Sequence, residues 1–502
     1  MKKRLSNIIF AAAGAVLAYY CFHPLFYSGL ISADVLMLIA LLPILPLCFF
    51  KVLSSLPFLG EFKSEKIRLF KSLPLSIGAF IVGFILGTGA AVQSVETINF
   101  GIPENTIVGI SGVLQNDPSI ISGGRAMSTI DLKMAAGKNG VKATANGEIT
   151  VFFPEENSAR LKEFGRGTEV YAEGILQKKE EAFFNAFSLH ITKPASSLER
   201  FRTGIRLGMI QRFSGAENEK SPWGGLALAL LLGIRDNLET GVAAIYRMAG
   251  CSHILALSGM HLAVLVGLIS LLFKKVMGIK LAAFTGALII IAYCFIVGPL
   301  PSLNRAAIMY ILGVIAVLFM LKRDLFSILC MAFLIQIIIT PQSGKTLSFI
   351  LSYMALAGIL IIGVKINDLL KGKIPVFLLQ SVSASLGAFI ATAGVTAWFF
   401  AELRPIGIIA GLFLAPLAMV FMVVSMVWLC LDFILPSFSA VIGKFLSMLY
   451  WLMDKIASAA SLVPGIKTNP FIVIVISVFL LAVLLWLDRR RRIKGLYLKP
   501  LL

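Results

Sequence analysis

The sequence predicts a polytopic α-helical membrane protein of about 12 membrane helices, each a run near the ~20 apolar residues that a bilayer requires, with a small β-barrel inserted on its outer face. Three observations predict it. Of the 502 residues, 58% are hydrophobic and only 14% charged, where soluble domains hold about 45–50% and about 25%. Lys and Arg gather in breaks between the apolar runs, at Lys51 to Lys71, Lys274-Lys275, Lys322-Arg323, Lys365 to Lys373 and Arg489 to Arg492, as they do in cytoplasmic loops, which are not translocated. One stretch, 96–200, abandons long apolar runs for period-two alternation. The net charge of +19 follows from the loops and does not by itself imply nucleic acid.

Residues 1–95 hold the N-terminal membrane helices, with runs at 5–23, 30–50 and 73–95. Lys2-Lys3-Arg4 before the first run resembles a signal peptide. Bulky Tyr19-Tyr20-Cys21-Phe22 stands where a small-residue cleavage site would fall, so the run reads as a retained helix with its N-terminus inside. The third helix then exits outside. Residues 96–200 form an extracytoplasmic OB-fold-like domain. Its candidate strands are Thr106–Gln115, Met127–Ala135, Gly147–Phe153, Glu169–Leu176 and Phe183–Thr192, split by Gly, Asn and Asp. Residues 101–200 carry 11 Lys and Arg against 12 Asp and Glu. A DNA contact there must therefore use local patches or stacking on rings such as Phe152, Tyr171 and Phe184, whose plainer role is packing.

Residues 201–222 are an amphipathic connector. Arg202, Arg206 and Arg212 interleave with Phe201, Ile205, Met209 and Phe213, which predicts a helix lying on the membrane surface, or a contact to a DNA backbone. Residues 223–488 form a second membrane domain. Its first run, 223–234, is too short to cross and reads as re-entrant. Nine crossings follow, near 254–273, 279–298, 305–321, 325–340, 346–364, 376–400, 405–431, 441–461 and 470–487, and leave the basic tail 489–502 inside. The pairs Gly83/Gly87 and Gly407/Gly411 predict close helix packing. None of the six cysteines lies in the soluble stretch, so free buried thiols are expected.

Two stretches could carry chemistry. Two of the four histidines lie in Ala249 to Leu262. On a continuous helix His253, Leu257 and His261 stand one above another, Ser258 shares that face, and Gly259 lets another backbone approach. Such groups at membrane depth glue helices, line a pore, or form an intramembrane hydrolase from Ser258 with His253 or His261. The Gly-x-Ser-x-Gly elbow and His-Glu-x-x-His are both absent. In the second stretch, Gly298-Pro299-Leu300-Pro301 forms a stiff turn before a helix that Ser302 can cap. Arg305 enters that helix at its outer end, to snorkel or to face a phosphate chain in a pore. Ser343-Gly344-Lys345-Thr346 copies the end of a P-loop, but Ile339 replaces the needed first Gly and no strand precedes it, so no nucleotide site is expected.

Leu230 to Arg235, Arg247 to His261, Pro301-Ser302-Leu303-Asn304-Arg305-Ala306-Ala307 and Leu347 to Ala355 together resemble signatures of the ComEC competence-protein family, with Ile350 where a polar residue is expected. The resemblance implies an inner-membrane channel, not an enzyme and without cofactor, that passes single-stranded DNA into the cytoplasm during natural transformation. It makes 223–488 the competence channel domain, with His253, Ser258, Gly259, His261, Ser302, Asn304, Arg305, Ser348 and Ser352 as lining candidates. A non-transporting scaffold of a competence complex is the alternative outside catalysis. Implied partners are the strand, the bilayer, an external DNA receptor, a cytoplasmic helicase or strand-binding proteins, and a second copy of the chain. Many relatives end in a metallo-β-lactamase-like domain. No His-x-His-x-Asp-His run occurs here, so a short form without that domain is expected.

Overall fold

The computed structural model describes residues 2–27, 65–94, 98–121, 124–178, 182–214, 222–257, 259–321, 324–373 and 375–497; the run 30–50 and Ser258 lie outside the described residues. Helices α1 (Lys2–Tyr27) and α2 (Glu65–Ser94) pair closely because small residues face each other. A Cβ on Gly83 would lie 1.8 Å from the Ala11 carbonyl oxygen, and one on Gly87 would lie 2.5 Å from that of Ala15, so the glycine pair packs as its spacing predicts.

The soluble stretch is a closed barrel. Strands β1 (Ile107–Leu114), β3 (Ala126–Gly137), β5 (Glu148–Phe153), β6 (Glu169–Lys178) and β7 (Ala182–Lys193) form a ring in the order β1-β3-β5-β7-β6, with β6 returning to β1. Pairing is antiparallel except for β5 with β7. Two short strands, β2 (Ser119–Ile120) and β4 (Lys142–Thr144), add to β3. Helix α3 (Ser158–Phe164) bridges β5 and β6. The alternation that marked these strands fills the barrel with Ile110, Leu114, Ile130, Ile149, Val151, Phe153 and Val170. Phe184 joins that core with no exposure. A base cannot stack on a ring sealed inside a barrel, which corrects its candidacy as a DNA contact.

The connector is helix α4 (Ser197–Ser214). Phe201 and Leu198 are exposed on it, but Arg202 is fully buried. Helix α5 (Pro222–Leu232), 11 residues long, is buried from Trp223 to Leu232. It is too short to span a bilayer. Its fully apolar sequence suits burial on all sides, where surrounding helices rather than water cover the backbone. Then come α6 (Val242–Met248), the four-residue α7 (Ser252–Leu255), α8 (Gly259–Val297), α9 (Pro301–Leu318), α10 (Leu325–Ile339) and α11 (Leu347–Gly358). A π-helical segment, Ile359–Gly363, leads to α12 (Val364–Leu370) and α13 (Val376–Phe400). The chain closes with α14 (Ile406–Ile434), α15 (Pro436–Ser461) and α16 (Pro470–Tyr497), with a two-stranded sheet of β8 (Glu402–Leu403) and β9 (Ile466–Lys467) between helix ends.

Among the described residues five helices are long and apolar enough to cross a membrane: Gly278–Val297, Pro301–Leu318, Leu347–Leu370, Leu378–Phe400 and Ile406–Ile434. The protein is therefore a helical membrane protein with an inserted barrel. Shorter apolar helices stand beside these five. Runs 254–273 and 279–298 lie largely in α8, which breaks at Gly278 (φ 72°, ψ 168°). Helix α15 carries Lys444, Asp454 and Lys455, and α10, Leu325–Ile339, is 15 residues long.

Candidate functional site

The segment 249–261 is not one helix. Ala256 is extended (φ −83°, ψ 128°), so α7 stops at Leu255 and α8 begins at Gly259. The expected ladder of His253, Leu257 and His261 is thereby broken, and the two histidines stand on separate helices. A break at this depth frees carbonyls that need donors. Arg235 Nη2 donates to the Leu255 carbonyl at 3.2 Å, and Ser302 Oγ donates to that of Leu257. Ser302 thus serves the break instead of capping its own helix. Leu300 occupies the N-cap of α9, and Pro301, which lacks an N–H, takes the first turn.

One turn into α9, Arg305 is buried, 7% exposed. Its Nη1 donates to the Ser352 carbonyl of α11, and its guanidinium lies 5.8 Å from the centroid of the Tyr353 ring. Tyr353 OH donates to Gln336 Oε1 at 2.8 Å, and Gln336 Nε2 donates to the Pro301 carbonyl at 3.0 Å. These bonds close a polar ring between α9, α10 and α11. Gly259 completes it, since a Cβ there would come within 3.3 Å of Arg305 Nη2.

The electrostatics of Arg305 are unusual. Among the described residues no carboxylate lies within ion-pair distance, and its buried Nε has no hydrogen-bond partner. Burying a cation against only a carbonyl and a ring face is costly. The arrangement offers donors and positive charge in a low-dielectric place, which suits a phosphate-like anion.

The structure therefore brings together Gly259, Ser302, Arg305 and the Ser352 backbone. His261 is buried, 2% exposed, two residues along α8 from Gly259. Asn304 is half-buried, while His253 and Ser348 are exposed on the chain's surface. Ser258, the nucleophile of the hydrolase alternative, lies outside the described residues. In the barrel, Phe152 is half-buried, with Phe183 edge-on at 5.7 Å and Arg125 over its ring at 5.6 Å. Tyr171 is half-buried beside Glu173, and its OH donates to Oε1 of that residue at 3.4 Å. Gln336 and Tyr353 escaped the sequence reading. A lone amide inside the apolar run 325–340 was the available signal, because polar side chains at membrane depth need partners. Among the described residues no group of three or more His, Cys, Asp or Glu could hold a metal ion.

The family described as Competence protein matches residues 230–491, which include this whole site. ComE operon protein 3 of Bacillus subtilis (strain 168) is 26% identical over 169 residues, covering 33% of this chain and 21% of that protein. The chain thus matches about a fifth of the length of this curated relative. No solved structure matches it.

Proposed function

The chain belongs to the competence protein family, and on that premise we propose that it passes single-stranded DNA through the inner membrane into the cytoplasm during natural transformation. The observation that carries the reading is Arg305. A buried guanidinium with no carboxylate within ion-pair distance among the described residues and an unused Nε is a poor structural element and a good station for a phosphodiester. Ser302 and Gln336 tie the surrounding backbone carbonyls, and the missing side chain of Gly259 leaves room for the guanidinium. The chain itself performs no covalent chemistry in this reading and needs no cofactor.

The barrel is read as OB-like. Its ring order, its single parallel pair and the helix between β5 and β6 support that assignment. It stands outside, the termini inside, and about 12 helices cross the bilayer in all. A DNA receptor delivers the strand from outside, and a helicase or strand-binding proteins draw it inward.

The test is import of labelled DNA into cells that carry only the variant chain, scored separately from DNA held at the surface. Arg305→Ala lowers import by about 100-fold, equivalent to ~2.7 kcal/mol, with surface DNA and membrane protein level unchanged. Normal import by Arg305→Ala at normal level removes Arg305 from the path.

A further inference from the structure

Two ionic tethers run from the barrel to the two halves of the Arg305 site. The first centres on Asp117, in the turn between β1 and β2. Its carboxylate accepts from Arg202 in a two-point grip, Nη1 to Oδ1 at 2.9 Å and Nη2 to Oδ2 at 2.5 Å. It also accepts the Arg166 N–H at 3.3 Å, and Arg206 Nε stands 3.4 Å away. The same two arginines then reach the end of α8. Arg202 Nε donates to the Phe295 carbonyl at 2.7 Å, and Arg206 Nη1 donates to Ile296 and Val297 at 3.0 and 2.9 Å. These are carbonyls that a helix end leaves without partners and where positive charge is favoured. Glu199, held by Arg166 at 2.5 Å, adds a second carboxylate to Arg202 at 3.4 Å.

From Val297 the chain passes at once into the Arg305 helix. Gly298 (φ +104°) lies so close to Arg202 that a Cβ would meet Nη2 at 3.0 Å. Pro299 and Pro301 stiffen the next residues, Ser302 is tied to Leu257, and Arg305 follows one turn later. The second tether is Lys162 of α3 on Asp236, at 2.7 Å. The neighbouring residue, Arg235, donates to the Leu255 carbonyl on the other side of the site. Each half of the Arg305 site is thus anchored to the barrel by its own ion pair.

We infer that Asp117, Arg202, Arg206 and the Lys162–Asp236 pair are positioning residues that set the place of Arg305, so that barrel and membrane path work as one body. This rests on the reading of Arg305 as a station on the DNA path. Surface ion pairs are worth little, but Arg202 has no exposure, and a two-point Arg–carboxylate grip fixes direction as well as distance. Asp117 itself touches no part of the proposed path, so any effect it has on import must travel through α8 and the proline turn.

The experiment uses the full chain as the cell's only copy, with import expressed per molecule of membrane-inserted protein. Asp117→Asn keeps the shape of the side chain and removes its charge. It is expected to lower import per molecule by about tenfold or more, with surface-bound DNA unchanged, a loss that a merely stabilising role would not produce. The coupling is read in a cycle with Arg305→Lys, chosen because it leaves measurable import. If Asp117 acts through Arg305, Asp117→Asn costs less than about twofold in the Arg305→Lys background, because contacting or serially coupled sites are not additive. Full multiplication of the two losses, or an unchanged import per molecule in Asp117→Asn, overturns the inference while leaving the channel reading intact. Normal import by Arg305→Ala overturns both. Should Asp117→Asn fail to accumulate, Gly298→Ala strains the same joint from the membrane side and is held to the same two criteria.

Discussion

Arg202 and Arg305 are both buried, both bonded to backbone carbonyls of helices, and opposite in how their charge is met. Arg202 spends its donors on two carboxylates and two carbonyls. Arg305 has one carbonyl, one ring face and an Nε without a partner. A fully answered buried charge is architecture, because removing it strands the opposite charge. A buried charge left unanswered is costly to keep, and the proposed function gives that cost a purpose. On the proposed function, the pair separates the part of the molecule that holds shape from the part that meets the DNA strand.

The comparison breaks most visibly at Arg202. Arg202→Ala leaves Asp117 without its main partner and should cost about 3–5 kcal/mol, seen as loss of folded protein from the membrane fraction. Arg305→Leu should do the reverse, keeping stability within about 1 kcal/mol of wild type, since replacing a poorly paired buried ion by an apolar group is often neutral. Its import should fall as far as that of Arg305→Ala. Thermal unfolding of the purified protein, set beside DNA import, tells the two arginines apart. Equal destabilisation by both variants would erase the distinction drawn between them.

Smaller changes sharpen the picture around Arg305. Gly259→Ala puts a methyl 3.3 Å from Nη2, so the guanidinium must shift by a few tenths of an ångström. Import should fall by about tenfold, equivalent to ~1.4 kcal/mol, with normal protein levels. Tyr353→Phe removes the donor to Gln336 and keeps the ring under Arg305. A loss near 1 kcal/mol in unfolding free energy is expected, with a change of only a few-fold in import.

The smallest effect is on acidity. Burial pushes the Asp117 carboxyl up, but the Arg202 bond and the charges of Arg206 and Arg202 outweigh it and hold it below its ordinary value of 3.8. A carboxyl with a depressed folded-state pKa stabilises above its ordinary value, and that contribution is lost as pH falls through the depressed one. The joint should therefore be flat from about pH 8 to 5 and weaken progressively as pH falls below about 5, through the ordinary value toward the depressed one, and in Asp117→Asn that acid limb should shrink. An unfolding profile against pH that bends near neutrality would place the responsible group elsewhere.

Much of this was legible in the residues. The five long strands lie within about two residues of the alternating segments, because a half-buried strand writes its period directly into the chain. The Gly83/Gly87 pair packed against α1 as spacing alone suggests, whereas Gly411, in the similar Gly407/Gly411 pair, has nothing within 4 Å of its Cβ position. Arg305 stood out because a cation at the start of an apolar helix is rare and needs an explanation. Phe184 did not separate from Phe152, since an aromatic in a strand looks the same whichever face it takes until the barrel closes.

By itself the sequence determined that this is a helical membrane protein with a β-domain inserted near its N-terminal third, and which short segments carry polar groups at membrane depth. Hydropathy and periodicity are local, and so can be read without neighbours. Tertiary structure alone decided that the helix 249–261 breaks at Ala256, that Arg202 and Arg206 grip the end of α8, and that Gln336 and Tyr353 complete the ring around Arg305. Each of these depends on which carbonyl or carboxylate is brought within about 3 Å across large sequence separations, a distance that hydrogen bonding demands and that no local pattern encodes.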